Sequence, residues 1–202
     1  MYPVKTPYFI KKLFPSLTWN FTRAEKVLYL TFDDGPIPEV TPFVVEQLKI
    51  YNAKATFFCI GDNVRKHPEV FELLKKNGHS IGNHTFNHLN GWHSPTADYV
   101  KNIQKCNELV KAQLFRPPYG KIRPTQILNL KKNYKIVMWD VLSGDFDLNL
   151  TPEECLENVL KHTENGSIIV FHDSLKAEPR LRHTLPLALA HWAKQGYNFK
   201  GL

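Results

Sequence analysis

The sequence predicts an α/β protein built on a parallel sheet or barrel. Two observations carry this prediction: short β-rich runs recur along the chain, and stretches with the apolar period of a helix lie between them. Such alternation is typical of βα units, in which each helix returns the chain to the start of the next strand. A length of 202 residues with 43% hydrophobic content suits one buried core. We therefore expect one domain at 23–202, on which an extension at 1–22 packs.

The strands are predicted from short runs of β-branched and aromatic residues that turn residues bound. In chain order they are residues 27–32, 55–60, 79–82, 114–115, 136–139, 168–171 and 197–199. The first run ends at an Asp-Asp-Gly-Pro turn, and Gly78 and Gly166 precede the third and sixth runs.

The helices are predicted from apolar stripes and from capping signals. In chain order they are residues 42–51, 64–77, 95–111, 125–132, 152–162 and 185–195. Thr151 and Glu154 have the spacing of a capping box at the start of the fifth helix, and Pro186 is tolerated in the first turn of the last.

The composition limits the partners and the compartment. The net charge is +7, but the lysines occur in dispersed pairs, so we expect a solvated cationic surface and no nucleic-acid partner. No apolar run approaches the roughly 20 residues of a transmembrane segment. Prolines interrupt the apolar residues of 1–20, which makes a poor signal peptide and favours the cytoplasm, or the cell envelope if a leader is missing. Three widely spaced cysteines indicate neither a disulfide framework nor a thiolate zinc site. We expect a monomer.

Two carboxylates and two imidazoles form the strongest candidate site. Asp33 and Asp34 follow the first strand, although an Asp-Asp-Gly-Pro sequence alone is more often a turn than a site. His84 and His88 have the spacing that puts both rings on one side of a helical turn. Two imidazoles and one carboxylate can hold a metal with open positions for water and substrate. The same donors also suit non-haem iron, so they leave the metal and the chemistry open.

The other candidates share the location of these four residues. Arg116, Asp145 and His172 also follow predicted strands. Parallel α/β proteins gather their active sites at the carboxyl ends of the strands. We therefore expect all of these side chains at one end of the barrel.

From Val27 to the C-terminus the sequence resembles the NodB-like polysaccharide deacetylases, carbohydrate esterase family 4. Five motifs carry the resemblance in order: Thr-Phe-Asp-Asp-Gly at 31–35, His-Thr-Phe-Asn-His at 84–88, Arg-Pro-Pro-Tyr-Gly at 116–120, Asp145-Phe146 and Val170-Phe171-His172. Most members have Asp-Trp as the fourth motif and Leu-x-His as the fifth. The resemblance implies a distorted (β/α) barrel of the NodB homology type, with 23–202 as the catalytic domain.

The resemblance also implies a role for each motif residue. Asp34, His84 and His88 would hold one divalent metal ion, with zinc expected and cobalt, nickel or manganese as alternatives. Asp33 would be the base and His172 the acid. Arg116 would hold the base, Asp145 would favour the imidazolium form of His172, and the backbone amide of Tyr119 would stabilise the oxyanion.

The implied reaction is hydrolysis of acetyl groups on a glycan, above all the N-acetyl groups of peptidoglycan or chitin-like polymers. The residues expected to line the sugar groove are Pro118, Tyr119, Phe146, Val170 and Trp92. An O-acetyl esterase acting on xylan could use the same site. A non-haem iron oxidoreductase is a second alternative, but it leaves Asp33 and Arg116 without a role. A glycan-binding domain without activity is the third.

Overall fold

The computed structural model describes residues 2–202, in which eight strands form one parallel sheet that curls into a distorted half-barrel. The order across the sheet is β5-β4-β3-β2-β1-β7-β6, and β8 pairs with the start of β1. The strands are β1 (Val27–Asp33), β2 (Thr56–Cys59), β3 (Ser80–Asn83), β4 (Leu114–Phe115), β5 (Lys135–Ile136), β6 (Val141–Leu142), β7 (Ile168–His172) and β8 (Asn198–Phe199). The expected α/β barrel is confirmed.

Eight helices surround the sheet. They are α1 (Tyr8–Leu13), α2 (Thr41–Ile50), α3 (Gly61–Lys66), α4 (Pro68–Lys76), α5 (Thr96–Val110), α6 (Pro124–Leu130), α7 (Pro152–His162) and α8 (Glu178–Lys194). The capping box predicted before α7 is present: Thr151 accepts from the amide of Glu154, whose side chain accepts from the amide of Thr151. Within residues 2–202, every helix is too short or too polar to cross a bilayer.

The structure corrects four predicted elements. The helix expected at 64–77 is two helices, because His67 precedes a proline and has an extended φ of −130°. The last helix begins at Glu178, so Pro186 lies inside it rather than in its first turn. The strand expected at 136–139 ends at Ile136, and four residues separate it from β6. Helix α1 was not expected.

The central strand β1 sets the position of the site. Phe32 stacks on Phe57 of β2 and Phe171 of β7, with ring centroids 5.0 and 5.8 Å apart, and all three side chains are buried. Alternate residues of a strand point to opposite faces, so Asp33 and His172, which follow these rings and pair in register, share the other face. The aromatic layer therefore gives the carboxyl ends of β1 and β7 a rigid, dry support.

Candidate active site and metal centre

Asp34, His84 and His88 converge beyond the carboxyl ends of β1 and β3. Their donor atoms all lie within 4.8 Å of one another. Oδ1 of Asp34 is 3.3 Å from Nε2 of His88 and 3.8 Å from Nε2 of His84. A tetrahedral ion with ligands at about 2.0–2.2 Å places its donor atoms roughly 3.3–3.6 Å apart. The distance from Asp34 to His88 lies in this range and the distance from Asp34 to His84 is slightly above it, so the trio has nearly the spacing that a small divalent ion needs.

Hydrogen bonds set the ring orientation of both histidines. Nδ1 of His84 lies 2.8 Å from the carbonyl oxygen of Arg116 and must be the protonated nitrogen, because a carbonyl only accepts. Nε2 of His84 is thus unprotonated, and its lone pair is available to a metal ion. Nδ1 of His88 contacts the Tyr119 hydroxyl at 3.1 Å. Burial above all, and then the proximity of His88, holds the pKa of His84 well below its ordinary value, so this imidazole is neutral.

The carboxylate of Asp34 also fits a metal ligand. Its Oδ1 atom is buried and has no hydrogen-bond donor within residues 2–202. A buried carboxylate oxygen without a partner is costly, and a bound cation would relieve that cost. The unpaired oxygen, the two oriented imidazoles and their spacing all fit a metal ion.

The segment that carries the histidines is a turn, not the helical turn that their spacing predicts. Thr85 and His88 have φ values of 65° and 57°. Side chains hold this conformation: Asn83 accepts from the amide of Thr85, and Asn102 of α5 accepts from the amide of Phe86, both within 3 Å. Asp34 and Tyr119 also have positive φ values, 85° and 60°. Left-handed residues other than glycine cost about 1–3 kcal/mol each and concentrate at functional sites.

Asp33 is held by a buried arginine. Arg116 is fully buried, and its Nη1 donates to Oδ1 of Asp33 and to the hydroxyl of Thr31, both at 2.7 Å. The rest of the guanidinium donates to the carbonyl oxygens of Val137 and Met138 at 3.2 and 2.9 Å. The other carboxylate oxygen, Oδ2, faces Nε2 of His84 at 4.0 Å. Asp33 therefore has one anchored oxygen and one that faces the trio.

His172 is held by Asp145, which has no solvent exposure. Oδ1 of Asp145 contacts Nδ1 of His172 at 2.7 Å, and Oδ2 accepts from the His172 amide at 2.8 Å. Arg180 of α8 donates to the Asp145 carbonyl at 2.6 Å. Burial lowers the pKa of His172, but the charge and the hydrogen bond of Asp145 outweigh it and raise the pKa to about 9. The imidazole is thus protonated at neutral pH.

These groups open onto one cavity of about 640 Å³. Of the residues predicted from the sequence, those that line it are Asp33, Asp34, His84, His88, Tyr119, Phe146, Val170 and His172. Arg116 and Asp145 lie buried behind Asp33 and His172. Pro118 and Trp92 are not among the described residues in the wall, and their sugar contacts stay predictions. Lys121 connects Trp92 to the rim, since its ammonium lies 5.4 Å from the Trp92 ring and 5.9 Å from the Tyr119 ring.

From the sequence, Asp173 is expected only to hydrogen-bond locally, but in the structure it supports the site from a distance along the chain. Its Oδ1 accepts from the Gly35 amide at 3.0 Å, and its Oδ2 accepts from the Thr41 hydroxyl at 2.5 Å. A Cβ at Gly35 would lie 2.0 Å from Oδ2 of Asp173, so only glycine allows this approach. Asp173 thus clamps the turn that presents Asp34. Its position directly after His172 was the only available signal.

The sequence is similar to known proteins over most of its length. The sequence profile that describes polysaccharide deacetylases matches residues 21–139. A peptidoglycan-N-acetylglucosamine deacetylase of Bacillus cereus is 35% identical over 198 residues, which cover 94% of this chain and 93% of the relative. A chitooligosaccharide deacetylase of Azorhizobium caulinodans is 38% identical over 163 residues, which cover 76% of this chain and 77% of the relative.

The fold is also similar to that of a solved deacetylase structure. The crystal structure of a peptidoglycan N-acetylglucosamine deacetylase, in complex with 4-naphthalen-1-yl-N-oxidanyl-benzamide, superposes with a TM-score of 0.89 at 30% identity and covers 98% of this chain and 95% of that one. The profile match spans more than half of the chain, and the Bacillus cereus relative is similar over nearly its whole length. The protein therefore belongs to the NodB-like polysaccharide deacetylases, carbohydrate esterase family 4.

Proposed function

We propose that the protein is a metal-dependent hydrolase that removes acetyl groups from N-acetylglucosamine units of a glycan such as peptidoglycan or chitin. One observation carries the proposal: Asp33 and His172 pair in register at the ends of neighbouring strands, and the Asp34, His84 and His88 donors share their cavity. Amide hydrolysis needs a base for water and an acid for the departing amine. Two relatives named as deacetylases of N-acetylated glycans support this substrate class.

Asp34, His84 and His88 would hold the metal ion. Two neutral imidazoles and one carboxylate are a donor set of catalytic zinc sites, and cobalt, nickel or manganese are alternatives. When bound, such an ion supplies Lewis-acid polarisation of the acetyl carbonyl and lowers the pKa of water at the site.

Asp33 acts as the general base in this proposal. Because Arg116 holds Oδ1, the free oxygen Oδ2 receives the proton of the attacking water as the new carbon–oxygen bond forms. The acetyl oxygen then carries the developing negative charge, and the backbone amide of Tyr119 donates to it. The loss of one such donor typically costs about 100- to 1,000-fold in rate.

His172 acts as the general acid. Its Nδ1 is bound to Asp145, so its Nε2 carries the proton that passes to the amine nitrogen as the carbon–nitrogen bond breaks. The products are acetate and a free amine. Asp145 keeps the acid protonated while Arg116 keeps the base in place, and the two roles therefore stay separate at one pH.

The test is an acetate-release assay on purified protein reconstituted with zinc. Peptidoglycan, chitooligosaccharides and acetylxylan are compared, because an O-acetyl ester passes through the same kind of oxyanion and could be cleaved at this site. We expect acetate from the first two, its loss after chelation and its return when zinc is restored. Acetate from acetylxylan alone would establish the esterase instead. No acetate from any substrate, or release that resists chelation, would refute the proposal. The monomeric state and the lack of a nucleic-acid partner stay predictions.

A further inference from the structure

The N-terminal segment runs along the edge of the sheet beside the cavity. The Val4 carbonyl accepts from the Leu142 amide at 2.8 Å, and the Thr6 amide donates to the Asp140 carbonyl at 2.9 Å. Lys5 and Val141 form an antiparallel bridge between these bonds. Residues 4–6 thus pair with β6, the last strand in the order, through one antiparallel bridge.

A buried carboxylate anchors this segment. Asp140 has no solvent exposure, and it accepts from Lys5 and Arg23 at 2.9 Å each and from Lys11. The Ser167 hydroxyl, at the start of β7, donates to the same carboxylate at 2.6 Å. One acidic group therefore ties Lys5, Lys11 and Arg23 to the barrel and defines the path of the chain before β1.

This path delivers Tyr2 to the cavity. The Tyr2 hydroxyl donates to Oδ2 of Asp147 at 2.9 Å, and its ring centroid lies 5.0 Å from that of Phe146. The Phe146 ring in turn packs edge-on against His172 at 5.1 Å. Tyr2 and Phe146 both line the 640 Å³ cavity, so the wall next to the proposed acid has two aromatic layers.

We propose that Tyr2 is a specificity-determining residue whose ring forms one wall of the sugar-binding groove. This inference rests on the proposed function, because it takes the substrate to be a glycan. The partly buried Tyr2 ring lines the cavity and offers a flat apolar face to the carbon–hydrogen side of a sugar, while its hydrogen bond to Asp147 fixes the angle of the ring. Tyr2 reaches Phe146 and not the reacting atoms, so it should contribute to binding more than to the chemical step.

The experiment measures acetate-release kinetics of the zinc-loaded enzyme on chitotetraose. Tyr2→Ala removes the wall, and Tyr2→Phe keeps the ring but removes its hydrogen bond to Asp147. Tyr8→Ala is the matched control, since Tyr8 is a tyrosine of the same segment but is 71% exposed and does not line the cavity. Thermal unfolding of each variant checks that the fold is retained.

We expect Tyr2→Ala to raise KM for the tetramer about tenfold with kcat within about twofold, since it removes binding shared by ground and transition states. Tyr2→Phe should lie between the wild type and Tyr2→Ala, and Tyr8→Ala should match the wild type. An unchanged KM in an active Tyr2→Ala variant would overturn the inference alone. A fall in kcat at constant KM would also overturn it, because it would assign Tyr2 to catalysis. A wild-type enzyme that releases no acetate would refute the proposed function and this inference together.

Discussion

Replacing Arg116 by leucine tests how the buried base is held. Leucine has a similar apolar stem but no donors, so the change leaves Oδ1 of Asp33 without its partner in a side chain that is only 5% exposed. It also removes the donors to the Val137 and Met138 carbonyls. The variant therefore has an uncompensated charge where the wild type has a buried pair.

The magnitude follows from that burial. Breaking a buried ion pair by removing one partner costs about 3–5 kcal/mol. In a chain of this size each 1 kcal/mol lowers Tm by roughly 2–4 °C, so Arg116→Leu should lower Tm by roughly 6–20 °C. Arg65→Leu is the matched control: within residues 2–202 the exposed Arg65 side chain pairs only with Asp62, one turn away in α3, and such pairs contribute about 0.3–0.5 kcal/mol.

The assay is thermal unfolding by circular dichroism, with both variants in the same buffer and chelator. The double variant Arg116→Leu with Asp33→Asn completes a cycle, and it should lose less stability than the sum of the single changes because no buried charge is left over. A Tm for Arg116→Leu within about 2 °C of the Arg65→Leu control would refute the reasoning.

Three further predictions concern other parts of the site and its supports. Asp145→Asn removes the charge that raises the pKa of His172 to about 9. Because the acid works while protonated, the alkaline limb of the kcat/KM profile should move to lower pH. An unmoved limb would contradict the assignment of His172 as the general acid. Burial raises the pKa of Asp140, but its hydrogen bonds to cations hold it below its ordinary value, so its contribution to stability is present above about pH 4 and is lost as the pH falls below that. Urea unfolding gives the free energy of unfolding at pH 7 and at pH 3. The decrease from pH 7 to pH 3 should be smaller in Asp140→Asn than in the wild type, and an equal decrease would count against the anchoring role of Asp140. Thr41→Val removes the hydroxyl that donates to Asp173 and should weaken zinc affinity about tenfold in a chelator competition. Thr184→Val is the control, because the buried Thr184 hydroxyl donates to the Pro152 carbonyl and should not affect zinc affinity. Equal zinc affinities of the two variants would exclude the role of Asp173 as a clamp.

The fold class and the position of the site could be predicted because both depend on local pattern. The apolar run before Asp33 identifies β1, and parallel strands bring their carboxyl ends to one edge, which placed His84 and His172 near it. The sequence also contained a usable signal that was missed. Pro68 marks the break between α3 and α4, because the residue before a proline is pushed out of helical conformation.

The remaining features depend on contacts between distant parts of the chain. The left-handed turn at His88 is held by Asn83 and Asn102, which the spacing of the two histidines does not reveal. In the sequence Asp173 is an ordinary loop aspartate, and only the fold brings its carboxylate to the Gly35 amide. Tyr2 lies at the cavity because Lys5, Lys11 and Arg23 all bind Asp140 and so fix the path of the N-terminal residues. No local sequence pattern predicts these contacts.

The most direct test of the central claim compares zinc content and acetate release in Asp33→Asn and Asp34→Asn. The two neighbours have different tasks in the proposed mechanism: Asp34 completes the metal trio, while Asp33 accepts a proton. Asp33→Asn should therefore retain one zinc ion per chain by elemental analysis and release no acetate, and Asp34→Asn should lose zinc at the same free concentration. Full zinc occupancy in Asp34→Asn, or undiminished turnover in Asp33→Asn, would contradict the account.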